Sequence, residues 1–227
     1  MSLRSVIPGG GPIRFARPLF PLCGGGAVLM LSRSEQTIRR AVVVEGVGYW
    51  SGAACRVEFL PAVAGTGMNF ERIVDGVAIR IPVAVESRVE ASARTNLAVT
   101  NVGVQMVEHA VSALAGLEID CCLIRVSAEE LPGLDGSALA FVRALDQAGL
   151  EQLGPPIEPL IVTEPCRVAD GDAWIEAVPT EEPGLSIDYE LDYGRGPIGR
   201  QHLAISITPE TYRTELAGAR TFILQAE

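Results

Sequence analysis

Glu108 and His109 stand side by side in the run Met106-Val107-Glu108-His109-Ala110-Val111-Ser112-Ala113-Leu114-Ala115-Gly116-Leu117. A carboxylate beside an imidazole can do two jobs: take a proton from water and hold a metal ion. Apolar residues recur at Val107, Ala110, Val111, Leu114 and Leu117, a spacing that predicts an amphipathic helix over 106–117 with that stripe facing a core. At about 100° per residue, His109, Ala113 and Gly116 fall together on the opposite side. They are small apart from the imidazole, so a second surface could approach closely there, and Glu108 points between the two faces. Base and nitrogen ligand would then look into one cleft. A lone Glu-His pair also has a plainer reading, with the Glu solvated and the His hydrogen-bonded at an interface, because such pairs are common and carry no fixed ligand spacing. Only the surroundings separate the two.

Composition sets bounds on those surroundings. With 227 residues, 48 % of them hydrophobic, and a positive mean hydropathy, the chain can bury a core as one large domain or two small ones. Its net charge of −10 argues against nucleic acid or an anionic membrane as a main partner, since both require a basic face. Cys23, Cys55, Cys121, Cys122 and Cys166 form no CxxC pair, and the adjacent two sit in an apolar run. They read as reduced thiols of a cytoplasmic protein.

Residues 1–34 stand apart, with Arg4, Arg14 and Arg17, no acid, a Gly9-Gly10-Gly11-Pro12 turn, and an apolar run from Leu19 to Leu31 broken by Gly24-Gly25-Gly26. As a leader the segment lacks the helical apolar core of a secretory signal, and it is short of the roughly 20 residues that span a bilayer, so no transmembrane segment is expected. The alternative, an unstructured extension ahead of a true start at Met30, is the reading favoured here. From residue 35 to 154 strands come first: Thr37 to Glu45 as one strand closed by Gly46-Val47-Gly48, then Cys55 to Leu60, Asn69 to Arg72, and runs around Val77 to Val89. Thr95 to Val99 leads to the 106–117 helix. A strand at Cys122–Val126 follows, then a helix capped by Ser137 and ended by Gly149. Pro155-Pro156 with Pro159 reads as a linker. Residues 155–227 restart as strands at Leu160–Val162, Cys166–Val168, Ala173–Val178, Leu185–Leu191 and His202–Ile207, before a helix opened by Thr208-Pro209-Glu210. The fold class is α+β, and the second domain is expected to be incomplete.

In this order the pieces resemble the UDP-3-O-acyl-N-acetylglucosamine deacetylases, zinc amidohydrolases of lipid A biosynthesis in Gram-negative bacteria. The resemblance runs from Gln36 to about Phe222. It is carried by Gly46-Val47-Gly48 with Ser51-Gly52, Thr95-Asn96-Leu97, Val107-Glu108-His109 with Ala113 to Leu117, Glu130-Leu131-Pro132 with Leu134 to Ser137, Val168 to Asp172, and Ala219-Arg220-Thr221-Phe222. It implies two similar sheet-plus-helix domains that pack their helices between the sheets, with the active site between them. It further implies His109 as a zinc ligand, Glu108 as the general base, Thr221 as a hydroxyl holding the oxyanion, and Phe222 and Leu97 near an acylated UDP-sugar substrate. Zinc lowers the pKa of bound water towards 7 and a nearby carboxylate takes the proton, so these residue types suit amide hydrolysis.

The departures from the family pattern shape the expectation as much. The other two ligands of the family come from a later His-x-x-x-Asp pair, its general acid is a further histidine, and all would lie beyond Glu227. The only other histidine, His202, is on the Ala204 and Ser206 side of a strand and is expected to be solvated or hydrogen-bonded. At Tyr49-Trp50 the family usually has Leu-His. Asp135 reads first as a turn and helix-entry residue, Gly46 and Gly48 as tight turns, and Trp174 as packing. Two functional readings stand: a deacetylase whose chain is incomplete here or is completed by a second polypeptide carrying the missing ligands, or a non-catalytic homologue that kept the fold of its first domain and lost its metal.

Overall fold

The computed structural model describes residues 2–3, 33–180, 183–194 and 199–221, in a mixed α+β arrangement of several sheets and short helices. Most of the expected amino-terminal extension lies outside the described residues. The described residues form two units: Arg33–Ile157 together with 208–221, and Glu158–Ile207 together with the amino-terminal strand β1 (Ser2–Leu3).

The larger unit runs through β2 (Ser34–Ile38), β3 (Val42–Val47), β4 (Ala54–Pro61), β5 (Met68–Val74) and β6 (Val77–Pro82). A 3₁₀ turn then leads to β7 (Arg88–Val89), β8 (Asn96–Val99) and β9 (Val102–Gln105). Next come α1 (Glu108–Gly116), β10 (Cys122–Val126), α2 (Leu139–Ala148) and β11 (Leu150–Pro156), and the chain returns later with α3 (Pro209–Thr211) and a wider helical turn, Tyr212–Leu216. Its main sheet has the order β3-β4-β10-β5-β6, with β10 antiparallel to β4 and parallel to β5. Strand alternation sends Val57, Phe59, Phe70, Ile81 and Ile124 to one buried face, where both helices pack, Phe59 meeting Phe141 edge to face at 6.0 Å. Burying each such side chain contributes about 1.5–3 kcal/mol. The opposite face is charged: Arg125 bridges Glu71 at 2.9 Å and Glu58 at 3.3 Å.

The expected single strand over Thr37–Glu45 is two strands in different sheets, β2 pairing with β11 and β3 with β4. The break falls at Arg39-Arg40, both exposed. Their cations go instead to the end of α2, Arg40 donating to the Gln147 carbonyl and Arg39 to the Leu150 carbonyl, each at 2.7 Å. The segment expected as a linker at Pro155-Pro156 is the end of β11, where a register shift after Gln152 lets Pro156 sit opposite Ser34. A two-stranded edge tolerates prolines that a central ladder would not. α2 starts two residues after its expected cap, though Ser137 Oγ still accepts the Leu139 N–H at 3.2 Å, and Gly149, at φ +70°, ends it as expected. At Thr208 the expected helix start is a reciprocal cap: its hydroxyl accepts the Thr211 N–H at 3.1 Å, and Thr211 Oγ1 accepts the Thr208 N–H at 2.9 Å.

The smaller unit is one sheet, ordered β12 (Cys166–Asp170), β13 (Ala173–Ala177), β1, β14 (Leu185–Asp192), β15 (Arg200–Ile207). The expected strand at Leu160–Val162 does not form; Leu160 is 71 % exposed, and the run between Pro159 and Pro165 finds no ladder partner. His202 sits as its strand phase indicates, on the polar face, bonded to Asp188 at 2.6 Å. Arg167 lies 4.0 Å over the Trp174 ring. None of the described residues from Glu158 to Ile207 is buried. Among the described residues no helix is long and apolar enough to cross a membrane.

Candidate functional site

α1 carries the Glu-His pair on its first turn, where the exposed N–H groups of a helix favour a negative side chain. Met106 enters the turn at φ +57°, and the next two residues tie the helix to the residue that precedes β8. Val107 N–H donates to the Thr95 carbonyl at 3.2 Å, and Thr95 N–H donates to Glu108 Oε2 at 3.0 Å. One carboxylate oxygen is thereby fixed, while Oε1 has no hydrogen-bond partner among the described residues. Glu108 and His109 are both half-buried.

The close approach expected beside His109, Ala113 and Gly116 is made within this unit by Tyr212. A Cβ on Gly116 would stand 2.3–2.5 Å from the tyrosine ring, so the ring occupies the volume that glycine leaves. Tyr212 OH and Ser112 Oγ are 2.8 Å apart, and Ser112 Oγ also donates to the His109 carbonyl at 3.1 Å. Burial pushes the Tyr212 phenol up from its usual range, with the Ser112 hydroxyl acting against it.

Thr221 joins a different part of the same unit. Its N–H donates to the Gly136 carbonyl at 2.9 Å, and Gly136, at φ +81°, lets the two backbones meet. Beside it the Ser137 hydroxyl and N–H hold Asp135 below the usual carboxylate range. Among the described residues no hydrogen bond links Thr221 to Glu108 or His109. Leu97 is 5 % exposed in β8 and belongs to the hydrophobic core. Phe222 lies outside the described residues.

Glu130, which enters the sequence reading only within the Glu130-Leu131-Pro132 stretch of the resemblance, is given no role there. It is 3 % exposed, yet its carboxylate accepts the backbone N–H of Trp50 at 2.8 Å and of Ser51 at 2.7 Å. Burial alone would raise its pKa, but the Ser51 hydroxyl, the two N–H groups and the charge of Arg94 together hold it below the usual range. A Cβ at Gly48 would lie 2.6 Å from Glu130 Oε2, so the carboxylate closes on the loop only because that position is glycine. Arg94 lies 5.5 Å over the Trp50 ring. The signals were an acid beside the apolar Leu131-Pro132 and a glycine about eighty residues earlier, and nothing local connects them.

A family model described as UDP-3-O-acyl N-acetylglycosamine deacetylase matches residues 35–227. The chain belongs to that deacetylase family. Among its curated relatives, a protein named UDP-3-O-acyl-N-acetylglucosamine deacetylase from Pseudoalteromonas atlantica is 35 % identical over 195 residues, 83 % of this chain and 62 % of the relative. Proteins of the same name from Shewanella sp. strain W3-18-1 and Shewanella oneidensis are each 34 % identical over 192 residues, with the same two coverages. This deacetylase-family chain thus spans 62 % of the length of the relatives it matches.

The resemblance had implied zinc, and the donor set among the described residues does not complete a site for it. Among the described residues no group of three His, Cys, Asp or Glu side chains could hold a metal ion. His109 offers one imidazole on α1, whereas a catalytic zinc takes three protein ligands. His202 is committed to Asp188 in the smaller unit.

Proposed function

We propose that the chain takes part in the hydrolytic removal of the acetyl group from a UDP-3-O-acyl-N-acetylglucosamine, a step of lipid A biosynthesis in the cytoplasm of a Gram-negative bacterium. The observation that carries this reading is the orientation of Glu108. Its Oε2 is held by the Thr95 N–H on the first turn of α1, leaving Oε1 to accept a proton from water attacking the amide carbonyl. The hydroxyl of Thr221 donates to the oxygen on which charge develops. Phe222 and Leu97 belong to the substrate side, Leu97 from within the core as a support for β8. Free thiols at Cys55, Cys121, Cys122 and Cys166 support a reducing compartment.

In this reading the enzyme is zinc-dependent and built of two similar domains, with His109 supplying one ligand and a second polypeptide supplying the others and completing the second domain. The absence of a three-ligand group among the described residues also favours a second reading, a non-catalytic homologue that binds the nucleotide sugar without hydrolysing it. Acetate release from the UDP-sugar, measured with the purified chain and with a polypeptide bearing a His-x-x-x-Asp helix added, separates the two. The deacetylase reading expects turnover in the second case, lost in His109→Ala and about 10²–10⁴-fold slower in Glu108→Gln. Substrate binding without turnover in both cases supports the homologue. Tight one-to-one zinc on the chain alone, after dialysis, would show ligands other than those named.

A further inference from the structure

Glu130 makes two sets of contacts, and both run towards Glu108. Its backbone ties it to the entrance of α1: the Gln105 N–H donates to the Glu129 carbonyl at 2.8 Å and the Leu131 N–H to the Gln105 carbonyl at 3.0 Å. Its side chain ties it to the loop after β3, accepting the Trp50 and Ser51 N–H groups at 2.8 Å and 2.7 Å. That loop in turn holds Arg94. The guanidinium carbon lies 5.5 Å from the centroid of the Trp50 ring, and Arg94 Nε is buried with no hydrogen-bond partner among the described residues. An aromatic face is a recognised seat for such a cation. Arg94 precedes Thr95, whose N–H donates to Glu108 Oε2 at 3.0 Å and whose carbonyl accepts the Val107 N–H at 3.2 Å. The contacts close a ring that runs from Glu130 through Trp50, Arg94, Thr95 and Glu108, and back by way of Gln105.

We infer that Glu130 is a positioning residue for Glu108, acting through Trp50, Arg94 and the Thr95 N–H. The inference rests on the deacetylase reading for what Glu108 does, and on this ring of contacts for how its carboxylate is aimed. A glutamate on the first turn of a helix can take several rotamers. One backbone N–H selects among them only if the peptide that carries it stays in place. Here both peptides that meet are approached through left-handed backbone at a residue other than glycine. Ala93, two residues before Thr95, has φ +57°, and Met106, two residues before Glu108, has φ +57° as well. Such conformations persist only where the surroundings hold them. Glu130 supplies that hold on both sides. The Trp50–Arg94 contact follows directly on Ala93, and the ladder to Gln105 directly precedes Met106.

The test reads the Thr95 amide proton by NMR in the full 227-residue chain under reducing conditions, because an N–H that donates to a carboxylate resonates downfield. Glu108→Gln removes the charge and sets the scale. Glu130→Gln and Trp50→Ala should each move the proton upfield about half as far as Glu108→Gln does, and Trp50→Phe, which keeps a ring for Arg94, should leave it in place. In a Glu108→Gln background Trp50→Ala should add little, which separates loss of the bond from the magnetic effect of the ring itself. Trp50 is 52 % exposed, so Trp50→Ala keeps the fold and decides the matter even where Glu130→Gln does not fold. Phe141→Leu, which loosens the core of the same unit, is the control and should leave Thr95 unmoved. An unmoved proton in Trp50→Ala or in folded Glu130→Gln overturns the inference, as does an equal shift in Phe141→Leu. With a polypeptide bearing a His-x-x-x-Asp helix added, the same two variants should lower kcat about tenfold and leave KM unchanged. Unchanged kcat beside a shifted proton overturns the positioning role. No acetate release from the wild-type chain in that assay counts against the deacetylase reading instead, since the Thr95 shift tests the link from Glu130 to Glu108 without turnover.

Discussion

At the scale of single residues, two glycines and two large side chains share volume across long stretches of sequence. Gly116 gives its missing Cβ to the ring of Tyr212, a contact close to the ring's attachment point that a rotamer change does not relieve. Gly116→Ala should cost about 1–3 kcal/mol in urea unfolding, the usual cost of overpacking. Adding Tyr212→Ala should make that substitution nearly neutral, and additive losses in the double mutant would sink this account. Glu130 should tie stability to pH. Its carboxyl titrates lower in the folded chain than in the unfolded one, so its contribution is present above the unfolded value, about 4.3, and is lost as pH falls through the folded value. Glu130→Gln should therefore lower stability by about 1–3 kcal/mol at pH 7 and flatten the acid limb of urea midpoints measured from pH 3 to 6. Equal acid slopes in the two proteins would refute that assignment. Glu108 and His109 could be singled out in the sequence because their helix announces itself by period. Glu130 could not, because the groups that make its carboxylate useful, Trp50 and Ser51, come from a loop about eighty residues away.

At the scale of elements, the central strand β10 decides chemical reactivity. Burial pushes the Cys122 thiol up to about 12, and Cys55 and Cys121 are buried as well, while Cys166 in β12 is exposed. Alkylation at pH 8 followed by peptide mapping should label Cys166 rapidly and leave Cys55, Cys121 and Cys122 unlabelled until the chain unfolds. Rapid native labelling of Cys122 would contradict the buried position of β10. The helix that begins at Thr208 depends on a local device, so Thr208→Ala should cost about 0.5–2 kcal/mol, read by thermal unfolding. That cap was visible in the sequence because cap, proline and acid are adjacent. The break at Arg39-Arg40 was not. A β-branched run predicts extended backbone, but which ladder each part joins depends on α2 and β11, more than a hundred residues downstream.

At the scale of the whole molecule, the two units differ in what protects them. The larger has a continuous buried core, and in the smaller no described residue from Glu158 to Ile207 is buried. Amides in β12 to β15 should accordingly open at much lower free energy than those in β4 and β10, and native-state hydrogen exchange with rising denaturant should resolve the two sets. A single isotherm shared by all strands would show instead that they unfold as one. The α+β class was legible from strand and helix periods. The grouping of residues 208–221 with 33–157 was not, because sequence order suggests that a chain which has begun new strands has left its first core. That grouping reaches beyond the finished fold to the chain as it is made. Ser112 waits for a partner 100 residues further on, which at about 5–20 residues per second leaves the Gly116 groove open for roughly 5–20 s of translation. While the ribosome is still making the strands in between, the nascent chain carries the Gly116 notch with no Tyr212 ring to fill it.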